Sequence, residues 1–75
     1  MSIIEYAISE MGGVTAFAEA VGVSRQAVYA WKKGSAKIDP EHVLMIVRAT
    51  RGAVTPYQLN PKIYPDPTWM PEIAA

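Results

Sequence analysis

Arg25 and Gln26 are adjacent, Tyr29 follows one helical turn later, and Lys32, Lys33 and Lys37 come next, with no acidic residue between Ser24 and Lys37. Arginine can make two hydrogen bonds to the edge of guanine and glutamine two to adenine. Each such pair is worth roughly 1–3 kcal/mol of discrimination against the wrong base. Tyr29 can touch a thymine methyl or a phosphate, and lysines at or beyond a helix end meet backbone phosphates more naturally than bases. Residues 24–37 thus carry Arg25, Lys32, Lys33 and Lys37 unopposed, whereas residues 1–23 carry Glu5, Glu10 and Glu19 and no base. The 75-residue chain has 7 basic and 7 acidic side chains and a formal net charge of 0. Its polarity, not its net charge, is therefore what would attract a polyanion.

Such side chains need one element to carry them outward, and the spacing supplies it. Counting Val14 as the first position, a small residue (Ala18) falls at the fifth, Gly22 at the ninth, and apolar Val23, Val28 and Trp31 at the tenth, fifteenth and eighteenth. Ala18 lets two helices cross closely, and Gly22 supplies a turn geometry that a Cβ would oppose. Val23, Val28 and Trp31 then lock the second helix inward. The segment 14–33 reads as a helix-turn-helix in which Ser24 caps the second helix and Gly34 stops it. Ser24, Arg25, Gln26, Tyr29, Ala30, Lys32 and Lys33 remain free to face outward.

The flanks read as helices too. In "SIIEYAISEM", Ile4, Ala7, Ile8 and Met11 form one apolar stripe, and Ser2 with Glu5 predicts a capping box. Asp39 as cap and Pro40 at the first position start a fourth helix with Val43, Ile46 and Val47 inward, closed by "TRG". Thr55, Pro56 and Gln58 predict a short fifth helix with a second capping box. From Asn60 onward there are four prolines, at 61, 65, 67 and 71, so an extended arm is expected. The expectation is an all-α fold: a helix-turn-helix domain over 1–59 and a Pro-rich C-terminal arm over 60–75.

Composition narrows the function. A chain this short buries only about 60–65% of its unfolded surface, enough for one modest core. There is no cysteine and one histidine, His42, so neither a disulfide framework nor a metal centre is expected. The carboxylates are scattered over separate faces and no phosphate-cradling glycine loop is present. No enzyme and no cofactor are expected. No apolar run reaches the ~20 residues of a membrane span and the opening residues lack a signal-peptide pattern, so no membrane role and a cytoplasmic location are expected.

The segment from Gly13 to Leu59 resembles the Cro/CI-type, lambda-repressor-like helix-turn-helix repressors. "AVGVSRQAVYAWKKG" and "TPYQLNPKIYPD" are most similar to small phage Cro proteins and YdaS-type antitoxins, the second motif being the more distinctive of the YdaS-like group. The resemblance implies a five-helix domain acting as a homodimer on a roughly palindromic double-stranded DNA operator in a bacterial or phage-infected cell. It would repress transcription from a prophage or toxin–antitoxin locus. Base-reading then falls to Ser24, Arg25, Gln26 and Tyr29, and phosphate contact to Thr15, Lys32, Lys33 and Lys37. Many relatives carry glutamine where the second helix opens here with Val14-Thr15, so Thr15 takes that contact. The alternative is an antitoxin that neutralises a toxin protein through its tail and regulates its own operon.

Simpler roles stand beside these. Lys32 and Lys33 also complement the helix dipole, by a few tenths of a kcal/mol. Arg25, in the first turn, opposes it. Trp31 and Phe17 are expected in the core, His42 on the solvated surface, and Arg48 and Arg51 as dipole-complementing surface residues. Ile63, Tyr64, Trp69 and Met70 either lie back over the core or cover a dimer or partner interface.

Overall fold

In the computed structural model, which describes residues 2–73, the predicted elements form in the predicted order: α1 (Ile3–Glu10), α2 (Val14–Val21), α3 (Arg25–Lys33), α4 (Pro40–Ala49) and α5 (Pro56–Leu59). No strand occurs among the described residues. Local chemistry fixes most of the ends. The Ser2 side chain accepts from the Glu5 N–H while Glu5 Oε1 accepts from the Ser2 N–H, both at 3.2 Å. Thr55 and Gln58 do the same for α5. α3 starts on Ser24, whose Oγ accepts from Ala27 N–H at 3.2 Å, and ends on Gly34 in the left-handed conformation.

α2 is the hub, touching α1, α3 and α4. Its Phe17 and Val21 are fully buried, as are Val28 of α3 and Val43, Ile46 and Val47 of α4. Burying a side chain of this size contributes roughly 1.5–3 kcal/mol. The corner between α2 and α3 is built as the spacing requires. Ala18 is buried, Gly22 has φ 82°, and the N–H groups of Gly22 and Val23 both donate to the Ala18 carbonyl, at 2.8 and 3.0 Å. Trp31 is half-buried, packed against the core edge.

Two features differ in detail from the sequence expectation. Asp39 occupies the cap position of α4, but its carboxylate accepts a hydrogen bond from His42 Nδ1 and caps no backbone N–H. His42 is correspondingly not a free surface group: it is half-buried and its ring lies 5.7 Å from that of Trp31. The second difference is the arm. It contains no helix or strand over residues 60–73, yet it does not project into solvent. The Asn60 side-chain amide donates to the Ile38 carbonyl at 2.8 Å, and Tyr64 Oη donates to the Pro40 carbonyl at 3.2 Å. Tyr64 stacks on Trp69, ring centroids 5.4 Å apart, and Pro71 is buried. Prolines deny this segment a helix but not a packed path: Tyr64 lies back against the start of α4 and Met70 against the Gly52 turn, whereas Ile63 and Trp69 stay exposed. Met1, at the start of the expected domain, and Ala74 and Ala75, at the end of the expected arm, lie outside the described residues.

Candidate nucleic-acid interface

α3 divides cleanly into two faces. Val28 is buried, Ala27 and Trp31 are half-buried on the inner side, and Ala30, expected to face outward, is half-buried as well, its small side chain lying at the boundary between the two faces. Arg25, Gln26, Tyr29, Lys32 and Lys33 are all exposed, Tyr29 by 53%. Residues three and four apart share a helix surface, so Arg25, Tyr29 and Lys32 run up one stripe with Gln26 and Lys33 beside it. Lys32 Nζ lies 5.7 Å from the centre of the Tyr29 ring. That cation–π distance steers the lysine stem along the outer face.

Ser24 sits at the mouth of this face with its oxygen engaged as the helix cap; the hydroxyl proton is still available to an acceptor on a ligand. Thr15 is exposed in the first turn of α2, whose cap residue, Gly13, has no side chain to satisfy the leading N–H groups. α2 and α3 are in contact, which puts Thr15 on the element next to the basic one. Lys37 lies beyond Gly34 in the loop to α4 and is exposed.

Charge is left available on this side. Among the described residues the ion pair within 4.0 Å is His42–Asp39, so Arg25, Lys32, Lys33 and Lys37 hold no carboxylate at that distance. Glu5 holds its carboxyl below the ordinary range chiefly through its hydrogen bonds with Ser2, with a smaller contribution from the positive field of Lys32. Asp39 is likewise held low, mainly by the hydrogen bond from His42. First-turn chemistry sharpens the asymmetry of α3. It has no acid at its start, where one would stabilise it, and Lys32 and Lys33 in its last turn.

One feature escaped the sequence. Lys62 joins Lys32 and Lys37 around a cleft of about 420 Å³ between α1, the end of α3 and the segment after α5. Its place is set by the bond from Asn60 to Ile38, which spans 22 residues. No local spacing reports that. Lys62 had only the look of a tail residue between prolines.

Among known proteins, the family model described as bacterial toxin YdaS matches residues 4–68. No curated protein and no solved structure matches the chain. Among the described residues no helix is long and apolar enough to cross a membrane.

Proposed function

The chain belongs to the family described as bacterial toxin YdaS, and from that membership and the outer face of α3 we propose a sequence-specific DNA-binding repressor of the Cro type. The observation that carries the proposal is that face. It has Arg25, Gln26, Tyr29, Lys32 and Lys33 exposed together on a helix locked from behind by buried Val28. α3 enters the major groove in a Cro/CI-like arrangement, with Ser24, Arg25, Gln26 and Tyr29 at base edges. Thr15, Lys32, Lys33 and Lys37 hold phosphates. The molecule spans 29 × 29 × 22 Å, so two copies side by side reach half-sites about one helical turn, or roughly 34–36 Å, apart. The proposed complex is accordingly a dimer on a near-palindromic operator. In this reading the chain is no enzyme, and whatever cellular effect the family's description names is exerted by occupying DNA.

Titration of a selected operator and of unrelated duplex tests the proposal. Arg25→Ala is expected to cost about 1–3 kcal/mol on the operator and much less on unrelated DNA. Lys32→Ala is expected to weaken both and to reduce the salt slope by about 1. Equal losses on both duplexes for Arg25→Ala rule out base reading by that residue. A second reading, a tail that grips and neutralises a toxin protein, is supported by Ile63 and Trp69, which are 48% and 43% exposed. Operator binding indifferent to both Arg25 and Lys32 favours it over the first.

A further inference from the structure

The cleft beside the end of α3 has a composition that duplex DNA does not use. Its floor is apolar, made by Ile3, Trp31, Ile38 and Leu59, and its rim carries Lys32, Lys37 and Lys62. At about 420 Å³ it lies within the size range of pockets that take a small ligand or an anchoring side chain. Among the described residues no carboxylate lies within 4.0 Å of any of the three lysines. A phosphate backbone would satisfy the rim and leave the floor empty, and an uncharged apolar group would fill the floor and ignore the rim. The occupant that answers both is an anchor with acids around it.

We propose that this cleft is a docking site for an acidic peptide segment of a partner protein, which seats one aromatic or branched side chain between Trp31, Ile38 and Leu59 and sets its carboxylates on Lys32, Lys37 and Lys62. Charge complementarity gives the sign of the partner, and the apolar floor gives its anchor. The site also has a consequence for DNA, which rests on the function proposed above. Lys32 and Lys37 are two of the residues assigned to phosphates, so an acidic segment in the cleft withdraws them from the duplex. The partner thereby competes with DNA at two phosphate-holding lysines and makes no contact with Arg25 or Gln26.

The test is a nitrogen-15 NMR titration of the full chain with an acetylated pentapeptide of two Asp, a central Phe and two Glu. Saturable shifts are expected at Trp31, Ile38 and Leu59. They should vanish when the peptide's Phe is replaced by Ser or its acids by Lys. Lys62→Gln, outside the proposed DNA contacts, is expected to weaken the peptide about threefold, the size of one exposed charge pair. Ala36→Leu, at an exposed position lining the cleft, is expected to abolish the shifts while keeping the thermal melt. Equal binding of the Lys-bearing or Phe-less peptide overturns the proposal, as do shifts confined to the outer face of α3. Undiminished binding to Ala36→Leu overturns it as well. So does a duplex that moves the Ile38 and Leu59 signals as strongly as the peptide does, since the cleft would then be part of the DNA surface. Peptide that binds the cleft but fails to displace operator supports the docking site and overturns the competition. Absence of DNA binding, measured without peptide, removes the repressor function and leaves the titration of the cleft unaffected.

Discussion

A cation in the first turn of a helix faces the positive end of the helix dipole, and Arg25 stands there with no acidic residue in that turn to offset it. It is exposed and, among the described residues, has no ion-pair partner. Folding therefore gains nothing visible from its charge. That makes Arg25 separable from the scaffold by experiment. Replacing it with glutamate converts an unfavourable dipole contact into a favourable one, with each term about 0.3–1 kcal/mol at the surface. Arg25→Glu is expected to raise the melting temperature by about 2–16 °C, on the scale of a domain this size, while abolishing operator binding. A melting temperature unchanged or lowered would show that Arg25 supports the fold through contacts of its own. Residues of this kind were legible in the sequence because the inward positions of α3 are fixed by Ala27, Val28 and Trp31, which turns the long polar side chains outward; Ala30, at the boundary, is half-buried instead. Lys62 was not legible, because its neighbours in space come from α3 and the following loop.

At the scale of the element, ends decided by a side chain and its own backbone were the easiest to read. Ser2 with Glu5 and Thr55 with Gln58 form their capping boxes within three residues, and Gly22 takes the left-handed turn between α2 and α3 that the corner demands. The start of α4 was read only in part. Asp39 and Pro40 mark the boundary correctly, but His42, three residues on, is a competing donor for the carboxylate. Cap preference alone does not reveal which donor wins. The His42 bond holds the Asp39 carboxyl below its ordinary range. A carboxyl depressed in the folded state contributes stability that is complete above its unfolded value and is lost as pH falls through the folded one. Asparagine is an equally good cap and has no carboxyl to titrate. Asp39→Asn is therefore expected to melt a few degrees below the natural chain at neutral pH. The two curves should converge as pH falls below about 4, near the unfolded carboxylate value. Glu5 and Asp66, also held low by local hydrogen bonds, keep some acid sensitivity in both. Parallel melting curves from pH 6 to pH 3 would show that the Asp39–His42 bond adds nothing to stability.

For the whole molecule, the question is whether the segment after α5 belongs to the body. Its proline content forecast irregular backbone, and residues 60–73 are irregular. Where that backbone runs was beyond the reach of local pattern, because its anchors join residues 22 and 24 positions apart. Tyr64 is the centre of the attachment. It packs against the core cluster, donates to the Pro40 carbonyl, and stacks on Trp69 with the rings 6° from parallel. The hydrogen bond is exposed and sits at the low end of roughly 0.5–1.5 kcal/mol, so most of the holding must come from the ring. Tyr64→Phe keeps the ring and is expected to melt within a few degrees of the natural chain. Tyr64→Ala removes both packing surfaces of a half-buried aromatic and is expected to cost about 2 kcal/mol, less than a fully buried ring would. That corresponds to a fall of roughly 10 °C in a domain this small. Amide exchange should accelerate from Ile63 through Trp69 in the same variant, since the segment loses the contact that orders it. If Tyr64→Ala instead melts with the natural chain and exchange changes only locally, the arm adds no stability. The α1–α5 body would then stand without it.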